Sequence, residues 1–215
     1  MTETSTRFRL PRGIYGITSE EHSLGRSNAL VVREMLEAGV KLVQYREKGD
    51  KSIREKFREC VEIRKMTRDF GALLIVNDFI DLALLVDADG VHIGQDDLPV
   101  SEVRKLCGKM AVGVSTHSPE QAVRAVRDGA DYIGVGPVYP TGTKKNVAPS
   151  VGLSMVRFAA ESVNIPWVAI GGIKLNHVPE LIQAGAKTIA LVTEIVGAES
   201  IVQKVKAIQA CFTES

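Results

Sequence analysis

Ser118-Pro119-Glu120-Gln121-Ala122-Val123-Arg124-Ala125-Val126-Arg127-Asp128-Gly129-Ala130-Asp131-Tyr132-Ile133-Gly134-Val135-Gly136-Pro137-Val138 carries one complete helix, glycine, strand unit. Ser118 is a natural N-cap, Pro119 suits the first helical position, and Gln121 stands where a capping box wants an amide. Ala122, Val123 and Val126 supply the apolar face of that helix. Gly129 can enter the left-handed conformation that closes a helix, and the β-rich run 132–138 follows at once.

The same punctuation recurs at Ala38-Gly39-Val40 and Ala184-Gly185-Ala186, each before another strand. Ser52-Ile53-Arg54-Glu55 is a second capping box, opening a helix that runs to about Phe70. Strands are expected over 13–18, 41–46, 72–77, 90–93, 110–115, 132–138, 167–171 and 188–193. Runs such as Leu73-Leu74-Ile75-Val76 suit a parallel sheet buried on both faces. Strand–helix alternation from end to end predicts an α/β protein, a single (β/α)8 TIM barrel, with a doubly wound open sheet as the structural alternative. Residues 1–10 form a polar N-terminal extension; 1–215 shows no linker and no second domain. A chain of 215 residues suits one core, since cores split only beyond about 250–300 residues.

Twenty-seven basic residues against 26 acidic ones leave a net charge of +1, which argues against general affinity for nucleic acid. Anion binding must then come from local clusters. The N-terminus lacks the apolar stretch of a signal peptide, and no run approaches the ~18 apolar residues of a membrane span. Cys60, Cys107 and Cys211 are widely spaced and odd in number, as structural thiols in a reducing cytosol would be. A cytoplasmic protein is expected.

Chemistry in such a barrel gathers at the C-terminal strand ends. There stand Gln44-Tyr45-Arg46-Glu47-Lys48, Asn77-Asp78, Gly94-Gln95-Asp96-Asp97, Ser115-Thr116-His117, Thr141-Gly142-Thr143-Lys144, Gly171-Gly172 and Val192-Thr193. Alternation turns Gln44, Arg46 and Lys48 to one side, which alone could be a solvated strand end. Asp78 and Asp97 could each be a helix N-cap, but as a pair beside two cations they favour Mg²⁺. Thr141 to Lys144 offers hydroxyls, a permissive glycine and an ammonium, or a plain polar turn. Gly171-Gly172 and Thr193 mark the usual phosphate position of a barrel, although close packing also demands glycine. His92 reads as a hydrogen-bonded interior residue, His117 as a residue within reach of substrate, and His22 and His177 as surface loop residues.

Taken in order, these clusters resemble thiamine-phosphate synthase, together with Ile14-Tyr15-Gly16-Ile17-Thr18, Asp89-Gly90-Val91-His92-Ile93, Gly113-Val114-Ser115, Gly134-Val135-Gly136-Pro137 and Ala169-Ile170-Gly171-Gly172-Ile173. The resemblance spans nearly the whole chain. It implies that Gln44, Tyr45, Arg46, Glu47 and Lys48, with Asn77, Ser115 and Lys144, hold an aminopyrimidine diphosphate. It implies that Asp78 and Asp97 bind Mg²⁺, and that Thr141, Gly142, Thr143, Gly172, Val192 and Thr193 hold a thiazole phosphate. The family commonly has Ser where Thr193 stands; hydroxyl and backbone N–H are retained.

The implied reaction joins the two substrates to form thiamine monophosphate and releases diphosphate, with CO2 if the thiazole is carboxylated. Arg46, Lys48 and Lys144, with Ser115, are the catalytic candidates, because a departing diphosphate needs its charge neutralised. A ring nitrogen attacks with its own lone pair, so no general base is needed. Partners are small molecules; the family allows a homodimer, and neither nucleic acid nor membrane is expected. The alternatives are a thiazole tautomerase-like sister enzyme using His117, a silent thiazole-phosphate-binding barrel, and a sugar-phosphate isomerase. Residues 145–151 are a candidate lid.

Overall fold

A computed structural model describes residues 8–142 and 149–213. Eight parallel strands close into a barrel in sequence order: β1 (Gly13–Ile17), β2 (Leu42–Tyr45), β3 (Leu73–Asn77), β4 (Gly90–Ile93), β5 (Ala111–Thr116), β6 (Tyr132–Val135), β7 (Trp167–Ile170) and β8 (Thr188–Leu191). Closure is made by β1 pairing with β8, with Tyr15 opposite Ala190. The open-sheet alternative is thereby excluded. Helices follow the strands on the outside: α1 (Asn28–Glu37), α2 (Ile53–Asp69), α3 (Ile80–Leu85), α4 (Val100–Cys107), α5 (Pro119–Arg127), α6 (Gly152–Ser162), α7 (Val178–Gln183), α8 (Thr193–Val196) and α9 (Ile201–Thr213). None of the described helices is long and apolar enough to cross a membrane.

Apolar packing falls into two layers. Outward-facing strand residues such as Val43, Leu74, Val91 and Ile133 meet the helices in the main core. Inside the barrel, Tyr15, Ile17, Leu42, Ile75, Tyr132, Val168 and Ala190 form a second, smaller cluster. Period-two alternation along each strand produces this division, because neighbouring side chains must serve opposite faces.

The glycine punctuation works as expected. Gly39, Gly129 and Gly185 have φ of 94°, 91° and 103°. The following N–H reaches back to the last helical turn: Val40 to Met35 O at 3.0 Å, Ala130 to Ala125 O at 3.0 Å, Ala186 to Leu181 O at 2.9 Å. This closing motif satisfies carbonyls that a helix end otherwise leaves bare, and it redirects the chain into the next strand.

Three local expectations need correction. Val123 is 60% exposed, and the buried face of α5 is Ala122 and Ala125, with Val126 packed beside them. Ser118 Oγ does accept from Gln121 N at 3.3 Å, but the Gln121 side chain takes His117 N at 2.7 Å, so the cap is not a reciprocal box. Strand six ends at Val135, not Val138. Pro137 has no N–H for the ladder, and contact with β7 resumes through Val138 N to Ile170 O at 2.9 Å. At α2, by contrast, Ser52 and Glu55 form the complete capping box.

Candidate active site

The strands end together around one cavity, lined among others by Gln44, Arg46, Asn77, Ser115, Thr141, Gly172, Val192 and Thr193. These residues stand on the ends of six strands, β2, β3, β5, β6, β7 and β8, and only closure of the barrel brings them to one place. Arg46 is fixed through its backbone: the fully buried Thr18 hydroxyl accepts from Arg46 N at 2.8 Å and donates to Arg46 O at 3.0 Å. Burial lowers the Arg46 guanidinium pKa, and Asp78, Glu47 and Glu21 oppose that shift.

Lys48 stands outside the cavity lining and pairs with Asp78. Asp78 has φ of 62°, and its N–H donates to His92 O at 2.9 Å, tying the end of β3 to β4. It caps no helix, since Phe79 holds the N-cap position of α3. Asp97 also caps none: its Oδ2 accepts from Gly94 N at 2.6 Å within its own loop, and Pro99 precedes α4. The helix-cap reading of both aspartates is therefore excluded.

Tyr45 and Glu47 face the other way. Tyr45 Oη donates to Glu59 at 2.7 Å, and Glu47 accepts from Asn28 Nδ2 at 2.8 Å and Gly49 N at 2.6 Å. Glu20, Glu47 and Glu59 gather around Lys51, whose ammonium pairs with all three. Among the described residues this is the one group of three or more potential ligands close enough for a metal ion. A lysine holds its centre, and it lies on the far side of β2 from the cavity. Burial pushes the Glu47 carboxyl up, but Gly49 N–H, Asn28 and Lys51 outweigh burial and hold it below the usual carboxylate range.

Gly142 is exposed and outside the cavity lining; Thr143 and Lys144 lie outside the described residues, as does most of the candidate lid 145–151. Gly171 and Gly172 have φ of 100° and 65°. A Cβ on Gly172 would sit 2.4 Å from Pro140 O, and one on Gly171 2.4 Å from Pro137 Cβ. Close packing of the β6 and β7 ends thus requires both glycines whatever binds there.

Sequence reasoning named Gln44, Ser115 and an interior His92, but missed Tyr15 and Tyr132, which link them into the floor of the cavity. Gln44 Nε2 donates to Tyr15 Oη at 2.8 Å, Tyr15 Oη meets Tyr132 Oη at 3.0 Å, Tyr132 Oη meets His92 Nδ1 at 3.0 Å, and His92 Nε2 meets Ser115 Oγ at 2.9 Å. The interior placement of His92 agrees with the sequence. His117 lines the cavity with Nδ1 against Gly136 O. His22 and His177 are half-buried, not free loop residues: His22 Nδ1 meets Ser19 Oγ at 2.9 Å, and His177 stacks on Tyr139 with centroids 4.0 Å apart.

Beside this geometry stands a comparison with protein families. The model of the family described as thiamine monophosphate synthase matches residues 14–195. This chain belongs to that family. The match runs from the first strand into α8, so it includes every strand that frames the cavity.

A thiamine-phosphate synthase of Pelotomaculum thermopropionicum is 58% identical over 205 residues, covering 95% of this chain and 94% of the relative. One from Caldicellulosiruptor saccharolyticus is 56% identical, covering 90% and 87%. Among solved structures, thiamine phosphate pyrophosphorylase from Pyrococcus furiosus superposes with a TM-score of 0.86 at 34% identity, covering 94% and 96% of the two chains. A 3-hexulose-6-phosphate synthase, at 17% identity and a TM-score of 0.68, shares the barrel fold alone.

Proposed function

We propose the residue roles by which this member of the thiamine monophosphate synthase family acts as a transferase, joining 4-amino-2-methyl-5-(diphosphooxymethyl)pyrimidine to a thiazole phosphate. The single observation that carries the reading is the convergence of Gln44, Arg46, Asn77, Ser115, Thr141, Gly172, Val192 and Thr193 on one cavity. The tautomerase, silent-binder and isomerase readings have no counterpart among the names of the close relatives.

Gln44, Asn77 and Ser115 hold the aminopyrimidine, whose ring rests against the apolar wall that includes Ile17 and Val168. Arg46 and Lys48, joined by Lys144, bind the diphosphate oxygens and neutralise the charge that grows as the group departs. Thr141 to Thr143, Gly172, Val192 and Thr193 hold the thiazole phosphate, with backbone N–H groups and hydroxyls as donors. Two small-molecule substrates are the partners, and the family resemblance allows a homodimer.

Asp78 and Asp97 fit Mg²⁺ by donor chemistry: both are hard carboxylates at the ends of adjacent strands, and neither is used as a helix cap. When bound there, the ion supplies further positive charge to the diphosphate. The reaction breaks the bond between the pyrimidine CH₂ and the diphosphate oxygen, and that electron pair leaves with the diphosphate. The thiazole nitrogen lone pair makes the new C–N bond, and a carboxylated thiazole also loses CO2. Between these events the 4-amino group donates electron density toward the electron-poor CH₂. Protein groups therefore position and neutralise, without a general base.

Arg46→Ala tests this assignment. It should reduce turnover by roughly 10²-fold or more, the scale for removing one preorganised charge contact, while circular dichroism and the melting transition stay native. Wild-type turnover in a folded Arg46→Ala variant would refute the role.

A further inference from the structure

The floor of the cavity is a line of side chains from five strands: Gln44 on β2, Tyr15 on β1, Tyr132 on β6, His92 on β4 and Ser115 on β5. Its ends, Gln44 and Ser115, line the cavity where the pyrimidine is placed above. His92, Gly113 and Tyr132 are register partners on three consecutive strands. The glycine between them makes the line continuous, because a Cβ there would lie 2.1 Å from Tyr132 Cζ.

We propose that this line has one fixed hydrogen-bond direction, running from Gln44 to Ser115, and that it makes Tyr132 and His92 positioning residues that select an amino-substituted pyrimidine over its oxo analogue. The inference rests on the substrate reading above. An amide NH₂ can only donate, so Tyr15 Oη accepts from Gln44 and must send its own proton onward to Tyr132. Tyr132 then sends its proton to His92 Nδ1, which must be a bare lone pair. The neutral imidazole carries its hydrogen on Nε2 and gives it to Ser115 Oγ. Burial keeps both tyrosines protonated, holding their pKa values well above the ordinary range. A doubly protonated His92 would leave a buried tyrosine O–H with no acceptor, which is costly in a dry interior.

The ends of the line therefore face the cavity with opposite characters. Ser115 accepts from His92 through one lone pair, and its O–H remains to be given to the ligand. Gln44 has committed an N–H to Tyr15 and offers its carbonyl oxygen. A donor at one end and an acceptor at the other match an aminopyrimidine, which presents a ring-nitrogen lone pair and an exocyclic amino hydrogen. The 4-oxo analogue replaces that amino donor with an acceptor and protonates a ring nitrogen, so it meets the pair in the wrong sense. Sites built to hydrogen-bond a group reject its mismatched analogue strongly, because their own buried groups go unmet.

Two measurements test the direction and its consequence. In ¹⁵N-histidine NMR of the substrate-free protein, with His92 assigned by its loss in His92→Asn, the Nε2–H tautomer is expected; an Nδ1–H tautomer would overturn the proposal. In steady-state kinetics, wild type should prefer the 4-amino diphosphate over the 4-oxo analogue by on the order of 10²-fold in kcat/KM. Tyr132→Phe, which keeps the ring and breaks the line, should shrink that preference about tenfold while the KM for thiazole phosphate holds. Tyr15→Phe breaks it at a second point and should do the same, even if Tyr132→Phe fails to fold. An unchanged preference in a folded variant would overturn the positioning role. If wild type forms no product from either pyrimidine, the substrate reading fails and the selectivity with it, whereas the tautomer still decides the direction.

Discussion

Arg46 and Glu47 are sequence neighbours with opposite tasks, because successive residues of an extended chain point to opposite faces. Arg46 enters the cavity; Glu47 turns outward to Asn28, Gly49 and Lys51 and anchors the loop that presents Arg46 and Lys48. Glu47 is only 6% exposed, and its pKa is depressed in the folded protein. Its contribution to stability is therefore whole above the unfolded carboxylate value, about 4.3, and is lost as pH falls through the lower folded value. Glu47→Gln should lower the urea midpoint at neutral pH and flatten its fall in acid. Parallel acid limbs for variant and wild type would show that Glu47 anchors nothing. The motif 44–48 was legible as a group from sequence, and so was the inward direction of Gln44 and Arg46; Lys48, beyond the end of β2, stands outside the cavity lining. That Tyr45 and Glu47 are tied to α1 and α2 was not, because their partners Asn28 and Glu59 lie on other elements.

The two ends of the strands divide function from stability. Asp131, just before β6, accepts Val112 N at 2.8 Å and pairs with Arg104; Asp89, just before β4, accepts Leu74 N at 2.8 Å and pairs with Arg64 at 2.7 Å. Both carboxylates join a strand start to its neighbour at the face opposite the cavity, where barrels keep residues for stability. Asp131→Asn loses the charge on a partly exposed pair and weakens a backbone contact. It should reduce unfolding free energy by about 1–2 kcal/mol with kcat within twofold of wild type, measured by denaturant titration and steady-state assay. A large loss of kcat at unchanged stability would contradict the division. Strand and helix existence was readable at this scale because aliphatic runs, caps and glycine stops agreed. Strand six was overextended because Val138 continues the apolar pattern past Pro137.

Over the whole molecule, the near-zero net charge left anion binding to local clusters, and barrel closure is what concentrates them. Arg46, Thr141, Gly172 and Thr193 are far apart in sequence and share one cavity only because β1 meets β8. The outer rim was therefore legible as a list of polar strand ends. The floor was not: that Tyr15 stands against Tyr132, and Tyr132 against His92, depends on register across strands distant in the chain. Its traces were its ends Gln44 and Ser115, the interior His92, and Gly113, a strand glycine whose reason is a tyrosine ring from the neighbouring strand. The most direct test of the central claim is to incubate the purified protein with the aminopyrimidine diphosphate and thiazole phosphate, with and without Mg²⁺, following diphosphate and thiamine monophosphate by mass. Formation of both products in equal amounts, dependent on Mg²⁺, is predicted. Folded protein that binds thiazole phosphate yet forms neither product would contradict it.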